Sequence, residues 1–260
     1  NVFPTYENYV EQFEIFIGKI TNGGILVYNE EDAEVKRVSK EATNPIRKLP
    51  YHTPKYTVSN GVTLLETPEG DMPIEVFGAH NLNNLAGAKW ICQNMGVDEA
   101  EFYEAIASFK GASKRLEKIA ESKTKVAYKD FAHSPSKVAA TTKAVKEQYP
   151  NRTLIACLEL HTYSSLNAAF LKEYEGALEY ADKAVVFYSP DAVKIKKLDE
   201  VSYDQIAAAF NRKDLIIYTN PIEFKDFLFK QDFDNSALLL MSSGNYGGLN
   251  FDEVKGLILD

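Results

Sequence analysis

The segment 126–136 carries the residue types that most directly suggest chemistry in this sequence. It reads Val-Ala-Tyr-Lys-Asp-Phe-Ala-His-Ser-Pro-Ser. This order predicts a strand, a turn that contains Asp130 and His133, and a helix that begins at Pro135 with Ser134 as its N-cap. Backbone N–H groups and the positive end of the helix dipole then face any anion above the turn. Asp130 could accept hydrogen bonds from sugar hydroxyls, and His133 could donate to a phosphate or carboxylate. An ordinary connection in an α/β protein would have the same shape.

Polar residues also follow the other predicted strands of this part of the chain. The segments at the carboxyl ends of these strands are Lys129–Ser134, Glu159–Ser165, Ser189-Pro190, Thr219-Asn220 and Ser242–Gly248. Because ligands of open α/β sheets bind outside the carboxyl ends of the strands, these segments are expected to border a ligand site. Two of the four histidines, His133 and His161, lie there. The glycine-rich run 242–248 allows its backbone to approach a ligand closely, although a flexible connector would have the same composition.

Two asparagines in an earlier segment are spaced for a shared ligand. Asn81 and Asn84 lie one turn apart on a predicted helix, and a side-chain amide can hydrogen-bond to the edge of an adenine ring. His80, which opens that helix, is interpreted as a capping or core histidine.

The elements that must position these residues follow a regular pattern after residue 122. Strands are predicted at Lys125–Tyr128, Thr153–Leu158, Ala184–Phe187, Leu215–Tyr218 and Ala237–Met241. Helices are predicted between and after them, near Ser136–Gln148, Leu166–Tyr180, Ser202–Phe210, Ile222–Gln231 and Phe251–Leu257. Strands that alternate with helices predict an α/β fold, here a Rossmann-like domain at 123–260 with a mostly parallel sheet covered on both faces.

The first part of the chain, 1–109, has a different pattern. A helix, a short buried strand and a second helix are predicted up to Ala42, as in an α/β domain entered part-way through. Alternating residues in 55–58, 62–65 and 74–77, with Asn60-Gly61 between the first two, predict antiparallel hairpins. Small and basic residues begin the segment 110–122, which is predicted to be a linker or hinge.

Composition excludes several classes of function. The net charge of −8 disfavours nucleic acid and anionic membranes as partners. There is no signal peptide and no apolar run of about 18 residues, so a soluble, cytoplasmic protein is expected. The two cysteines have no metal-ligand spacing, and no protein metal site is predicted. No phosphate-binding loop of the Gly-x-x-x-x-Gly-Lys-Ser/Thr type occurs. The chain begins with Asn rather than Met, which suggests a fragment.

Taken in order, four motifs resemble those of the Mur ligases. The family's Gly-x-His-Asn-x-x-Asn stands at 78–84, its Arg-Arg-Leu-Glu at 114–117 as Lys-Arg-Leu-Glu, and its Tyr-Asp-Asp-Phe-Ala-His-His-Pro at 128–135 as Tyr-Lys-Asp-Phe-Ala-His-Ser-Pro. The closing Met-Ser-Asn-Gly-Gly-Phe-Gly-Gly stands at 241–248 as Met-Ser-Ser-Gly-Asn-Tyr-Gly-Gly. Within the family, the murein peptide ligases of cell-wall recycling are the most similar. The chain would then hold the later half of the central ATPase domain and the whole C-terminal domain.

The resemblance implies an ATP- and Mg²⁺-dependent ligase of peptidoglycan synthesis or recycling, which joins a short peptide to UDP-N-acetylmuramate through an acyl phosphate. It implies that Asn81 and Asn84 line the adenine site and that Asp130 holds the ribose. Arg115 would reach the terminal phosphates, and His133 would face the phosphates or the substrate; these two are the implied catalytic residues. The implied substrate-binding residues are Lys129, His161, Ser242 and Asn245.

The sequence also departs from the family pattern. Lys129 replaces the first Asp of the Asp-Asp pair, Ser134 replaces the second His, and His161 stands where murein peptide ligases have an arginine. Without a phosphate loop, the chain alone is expected to be inactive. Two alternatives remain open: a Mur-like ligase for another substrate, such as a muramate–amino acid or folate–glutamate ligase, and a non-catalytic α/β binding module.

Overall fold

The computed structural model describes residues 3–197 and 201–259. The chain divides into two compact units: the first comprises Asn1–Thr57 with Val62–Phe109, and the second comprises Lys110–Asp260 with Val58–Gly61. No helix within the described ranges is long and apolar enough to cross a lipid bilayer.

The first unit combines a two-stranded parallel sheet and a three-stranded sheet with flanking helices. In chain order its elements are α1 (Tyr6–Gly18), β1 (Ile25–Asn29), α2 (Ala33–Glu41), β2 (Arg47–Tyr51), β3 (Tyr56–Ser59), β4 (Val62–Thr67), β5 (Gly70–Ile74), α3 (Ala79–Asn94) and α4 (Glu99–Ala107). The helices α1, α2 and α4 begin where Thr5, Asp32 and Asp98 accept a hydrogen bond from a backbone N–H of the first turn. Such side-chain caps satisfy N–H groups that have no partner inside the helix.

The predicted antiparallel hairpins are confirmed, except that the last strand lies at a different position. Asn60 and Gly61 form the first turn with φ of 52° and 76°, the left-handed backbone that a tight hairpin requires. The last strand is β5 rather than 74–77, because Thr67 pairs with Gly70 and the strand that follows the second turn therefore begins at Gly70. β2 pairs in parallel with β1. Local alternation does not reveal that pairing, because a parallel partner lies beyond the connecting helix.

The second unit is built on a six-stranded sheet. Its elements are β6 (Glu117–Glu121), β7 (Lys125–Asp130), α5 (Pro135–Gln148), β8 (Thr153–Glu159), α6 (Ala168–Leu171), a 3₁₀ turn (Lys172–Tyr174), β9 (Lys183–Phe187), α7 (Pro190–Ile195), α8 (Tyr203–Phe210), β10 (Ile216–Tyr218), α9 (Pro221–Phe229), β11 (Ser236–Met241) and α10 (Phe251–Leu259). The strand order is β10-β9-β8-β11-β7-β6. All neighbours are parallel except β6, which pairs antiparallel with β7 at the edge.

The core of this unit lies on the faces of the central strands. All six residues of β11 and all but the first of β8 are buried, as expected for parallel strands covered on both sides. On one face, side chains of α9 and α10 pack against the sheet in a cluster that includes Phe224, Leu228, Val254 and Ile258. The ring of Tyr246 stacks on Phe224 within the same cluster, with ring centroids 5.0 Å apart.

The α/β fold with a mostly parallel sheet is confirmed, and the five predicted strands are all present. The helix α7 was not predicted, and two predicted segments differ from the structure. Part of the predicted linker 110–122 is the edge strand β6. Its residues do not alternate clearly between apolar and polar, so the sequence gives little sign of a strand. In place of the predicted helix 166–180 there is one turn of α-helix followed by a 3₁₀ turn. The helical backbone ends at Tyr174, since Glu175 has a non-helical ψ of 126°, and Gly176 follows with a left-handed φ of 73°.

Candidate functional site

The carboxyl ends of β7, β11 and β8 lie side by side and form one rim of the second unit. Met241 at the end of β11 is in register with Asp130 on β7 and with Leu158 on β8. Immediately beyond the sheet, the backbone N–H of Ser242 donates to the carbonyl of Asp130 over 2.9 Å. The structure therefore brings the segments that follow these three strands together, which is where ligands of open α/β sheets bind.

Asp130 lies at this rim but its side chain is turned into the protein. Only 6% of the residue is exposed. Its Oδ1 accepts the backbone N–H of Ala132 over 2.6 Å, and its Oδ2 accepts the backbone N–H of Leu116, also over 2.6 Å. The carboxylate thus ties the turn after β7 to the segment before β6, so it has a structural role beside any contact with a ligand.

The segment 113–117 before β6 adopts an unusual backbone. Lys114 and Leu116 have φ of 57° and 44°, in the left-handed region that costs energy for residues with a Cβ. Glu117 Oε2 accepts the N–H of Lys114 over 2.8 Å, and its Oε1 lies 2.9 Å from the ammonium of Lys129. Burial alone would raise the pKa of Glu117, but these hydrogen bonds and the ammonium lower it on balance. Two carboxylates therefore hold this segment in place.

Arg115 lies between these two left-handed residues and is exposed. Its guanidinium carbon lies 5.9 Å from the centre of the Phe131 ring, over the turn that follows β7. A planar guanidinium on an aromatic face stays charged and keeps donors free at its edge. Arg115 is thus a cation at the rim, as its predicted role requires.

His133 stands directly before the N-cap of α5. Its Nδ1 lies 2.8 Å from the carbonyl oxygen of Phe131, and its own carbonyl accepts a hydrogen bond from the hydroxyl of Tyr174. Because a carbonyl can only accept, the proton must be on Nδ1, which leaves Nε2 as the acceptor of the neutral ring. The imidazole is half-buried and fixed at both its backbone and its ring.

The sequence analysis did not assign a role to Glu159, the last residue of β8. Glu159 is 3% exposed, and its Oε2 accepts hydrogen bonds from the Ser242 hydroxyl and, over 2.8 Å, from the N–H of Tyr246. Its Oε1 lies 3.6 Å from Nδ1 of His161. Its position could have indicated a role, because Glu159 directly follows the apolar residues of this strand and a buried carboxylate must be paired.

The glycine-rich loop 242–248 is an ordered part of the rim. The N–H of Gly244 donates to the Ser242 hydroxyl over 2.6 Å, and the Asn245 side chain accepts the N–H of Gly248 over 3.2 Å. The hydroxyl of Tyr246 is buried between the carbonyls of Cys157 and Met241, at 2.7 and 2.8 Å. This anchored tyrosine and Glu159 hold the loop over the ends of β8 and β11.

Asn81 and Asn84 lie at the start of α3 in the first unit. Asn81 is half-buried and its amide donates to the carbonyl of Phe77 over 2.9 Å, whereas Asn84 is exposed. Asn83, which the sequence analysis passed over, donates to Glu31 over 2.9 Å and to Thr53 over 3.2 Å. That polar group lies just beyond the carboxyl ends of β1 and β2, and it is the structural feature of the first unit that sequence spacing did not indicate.

Among residues 3–197 and 201–259, no three His, Cys, Asp or Glu side chains are grouped so that they could hold a metal ion. This finding concerns a metal ion held by protein side chains alone, because Mg²⁺ that binds with ATP takes most of its ligands from phosphates and water. Cys157 is also unsuited to chemistry, because complete burial raises the pKa of its thiol.

No family model matches the chain. The UDP-N-acetylmuramate–L-alanine ligase of Caldicellulosiruptor bescii is 28% identical over 196 residues, which are 71% of this chain and 43% of that protein. The chain thus spans less than half the length of this relative.

Solved structures have a similar fold over 96–100% of this chain. UDP-N-acetylmuramate–alanine ligase from Thermotoga maritima matches with a TM-score of 0.65 and 17% identity over 100% of this chain and 55% of its own. The MurF ligase of the same organism, solved with ADP, matches with a TM-score of 0.67 and 17% identity over 98% of this chain and 58% of its own. A murein peptide ligase from Psychrobacter arcticus matches with a TM-score of 0.60 and 16% identity over 96% of this chain and 54% of its own. The chain is thus similar in sequence to UDP-N-acetylmuramate–L-alanine ligases and similar in fold to several Mur ligases, and these matches single out no one member of that family.

Proposed function

We propose that this chain is part of an ATP-dependent ligase that joins an amine to the carboxylate of a UDP-N-acetylmuramate substrate. The observation that carries the proposal is the rim at the ends of β7, β11 and β8. It gathers a free guanidinium, a helix N-terminus, two histidines and a glycine-rich loop, and it does so in a fold shared with a ligase solved with ADP. These groups suit a reaction in which anionic phosphates and a carboxylate must be held together.

In the first unit, we propose that Asn81 and Asn84 contact an adenine ring. In the second unit, we propose that Asp130 contacts a ribose. Asp130 ends β7 at the rim, and the proposed ribose contact would be made beside its hydrogen bonds to the N–H groups of Leu116 and Ala132. Arg115 would contact the terminal phosphates. Its charge would offset the charge that develops as the γ-phosphoryl group moves to the substrate carboxylate.

On the acceptor side, Lys129, His161, Ser242 and Asn245 would bind the incoming amino acid or peptide. The acyl phosphate formed in the first step has an electrophilic carbonyl carbon. The amine attacks that carbon, the C–N bond forms, and the C–O bond to phosphate breaks. His133, at the N-terminus of α5, would face a phosphate or carboxylate oxygen, because helix N-termini favour anions. Since Nδ1 already donates to the Phe131 carbonyl, the ring would donate to such an oxygen from Nε2 only as an imidazolium.

Two acceptors are proposed, and one observation supports each. The four motifs are most similar to those of murein peptide ligases, which favours the tripeptide L-alanyl-γ-D-glutamyl-meso-diaminopimelate. The relative that matches over 196 residues is named for L-alanine, which favours that single amino acid. His161, in place of an arginine, removes a permanent cation from the acceptor side, which a peptide with several carboxylates would need more than L-alanine would.

The test is an assay on the complete natural protein that contains this sequence. ADP release is measured with ATP, Mg²⁺ and UDP-N-acetylmuramate, and either L-alanine or the tripeptide is added. Release that depends on one of these amines identifies the acceptor. The isosteric variant Asp130→Asn should raise the KM for ATP at least tenfold, about 1.4 kcal/mol. If no amine stimulates ADP release, the proposed function is wrong.

A further inference from the structure

The two oxygens of the Glu159 carboxylate have different surroundings. Oε2 is fully engaged by the glycine-rich loop, through the hydroxyl of Ser242 and the N–H of Tyr246. Oε1 lies on the other side, 3.6 Å from Nδ1 of His161. With 3% of its surface exposed, Glu159 has little access to water that could satisfy this second oxygen. A buried carboxylate oxygen of this kind favours a partner that keeps a proton directed at it.

The imidazole of His161 is confined on one side and open on the other. A Cβ added to Gly244 would lie 2.9 Å from Cγ of His161 and 2.8 Å from Oε2 of Glu159, closer than side chains tolerate. The loop backbone therefore presses against both residues, and only glycine permits this approach. Even so, 40% of the His161 side chain is exposed. The ring is thus held between the loop and the strand end while part of it faces solvent at the rim.

We propose that Glu159 is a positioning residue that keeps the proton of His161 on Nδ1, so that the Nε2 lone pair can accept a proton from the incoming amine. This inference rests on the proposed function, which supplies the amine. The Nδ1–Oε1 separation of 3.6 Å is an ion-pair distance, longer than a hydrogen bond, and catalytic pairs are commonly this long before substrate binds. The arrangement uses the same principle as other carboxylate–histidine pairs, in which the carboxylate selects the tautomer.

The step balances without any further reactant. As the amine nitrogen forms a bond to the acyl carbon, one N–H bond breaks and its proton passes to Nε2. The electrons of the C–O bond leave with the phosphate. The imidazolium formed in this way lies beside the Glu159 carboxylate, which stabilises its charge, and the proton later returns to solvent. The substrate class is a primary amine, such as the α-amino group of an amino acid or peptide.

Histidine ¹⁵N spectra of the 260-residue chain test the positioning directly, without ligase activity. The spectra are recorded at about pH 8.5, where an ordinary imidazole is neutral. Each of the four rings is assigned by a single His→Gln variant. In Glu159→Gln the amide oxygen can still accept from the loop, while its NH₂ group faces Nδ1. The proton should therefore move to Nε2, and the two His161 nitrogen signals should exchange character.

Two controls separate orientation of the ring from general disruption. Nδ1 of His133 is held by a backbone carbonyl, so its signals should not change in the same spectrum. Ser242→Ala removes one contact between Glu159 and the loop but leaves Oε1 beside the ring, so His161 should keep its native pattern. A native His161 pattern in folded Glu159→Gln would overturn the inference.

Kinetics of the complete ligase test the proton transfer. Glu159→Gln should lower kcat for amide formation at least tenfold and leave the KM for ATP unchanged. Amide formation at the native rate would refute the proton-accepting role. If no amine supports turnover in the native enzyme while the His161 signals still exchange in Glu159→Gln, the proposed function fails and the positioning by Glu159 stands.

Discussion

Oδ2 of Asp130, at the end of β7, accepts the backbone N–H of Leu116 over 2.6 Å, and Leu116 has a left-handed backbone with φ of 44°. One carboxylate thus fastens a strained segment to the edge of the six-stranded sheet. The sequence alone suggests a rim carboxylate that could be removed without effect on the fold. Its burial changes the expected result.

Asp130→Ala should destabilise the second unit. The substitution leaves the N–H groups of Leu116 and Ala132 without their acceptor, which should cost about 3 kcal/mol in the free energy of unfolding. Asp130→Asn keeps one oxygen and should lose less. Urea unfolding of the three proteins measures the differences. Equal midpoints for Asp130→Ala and the native chain would mean that both N–H groups find other acceptors.

Glu117→Gln should weaken stability in a pH-dependent way. The lowered pKa of Glu117 means that the folded state favours its charged form, so the contribution is present above the ordinary glutamate pKa and disappears as pH falls through the folded value. The native chain should therefore be more stable than the variant at pH 7, and the difference should shrink below about pH 4. Urea midpoints at pH 7 and pH 3.5 provide the measurement. A difference that is the same at both pH values would contradict this explanation.

Arg115→Ala should impair the complete enzyme without affecting its fold. Arg115 is exposed, so we expect a change of at most about 0.5 kcal/mol in stability. The loss of a cation at the phosphates should lower kcat/KM for ATP at least tenfold, about 1.4 kcal/mol. Lys118→Ala is the matched control, because Lys118 is an exposed cation that pairs with Glu121 on β6. If both variants have the same ATP kinetics, Arg115 does not contact the phosphates.

Two glycine substitutions should act in opposite directions. Gly244→Ala places a methyl group 2.8 Å from the Glu159 carboxylate, so the loop must move and stability should fall by about 1–3 kcal/mol. Gly256 lies within α10 with nothing near its added Cβ, so Gly256→Ala should stabilise the chain by about 0.5–1 kcal/mol. Thermal and urea unfolding distinguish the two. A neutral Gly244→Ala would show that the loop is free to shift, which would weaken its assigned role at the rim.

The 260-residue chain alone should not turn over ATP. Phosphoryl transfer depends on positioned cations and backbone N–H groups around the phosphates, and this sequence has no phosphate-binding loop. We expect ATP to bind with a Kd above about 1 mM, weaker than −4 kcal/mol. Calorimetry and a coupled ADP assay on the chain test both statements. ADP release would reveal a phosphate site that neither its motifs nor its described side chains indicate.

Much of the second unit could be predicted from the sequence, because its signals are local. Apolar runs such as Leu154–Leu158 are long enough to specify buried strands, and Ser134-Pro135 marks the start of α5. Strands alternating with helices have few ways to pack, so the mostly parallel sheet follows. The same order places His133, His161 and the loop 242–248 at one end of the strands, before any distance is known.

Only the tertiary structure decided which groups meet across the rim. Glu159 and Ser242 are separated by 83 positions, and no periodicity relates them, yet adjacent parallel strands bring them into hydrogen-bond contact. The sequence did not predict the burial of these side chains either. Asp130 and Glu159 were expected to be polar residues at the rim, but both carboxylates point inward, where backbone N–H groups donate hydrogen bonds to them. The pairing of β1 with β2 likewise depends on a partner that lies beyond the connecting helix. Local sequence specifies the elements, whereas the pairing of side chains depends on how distant strands align.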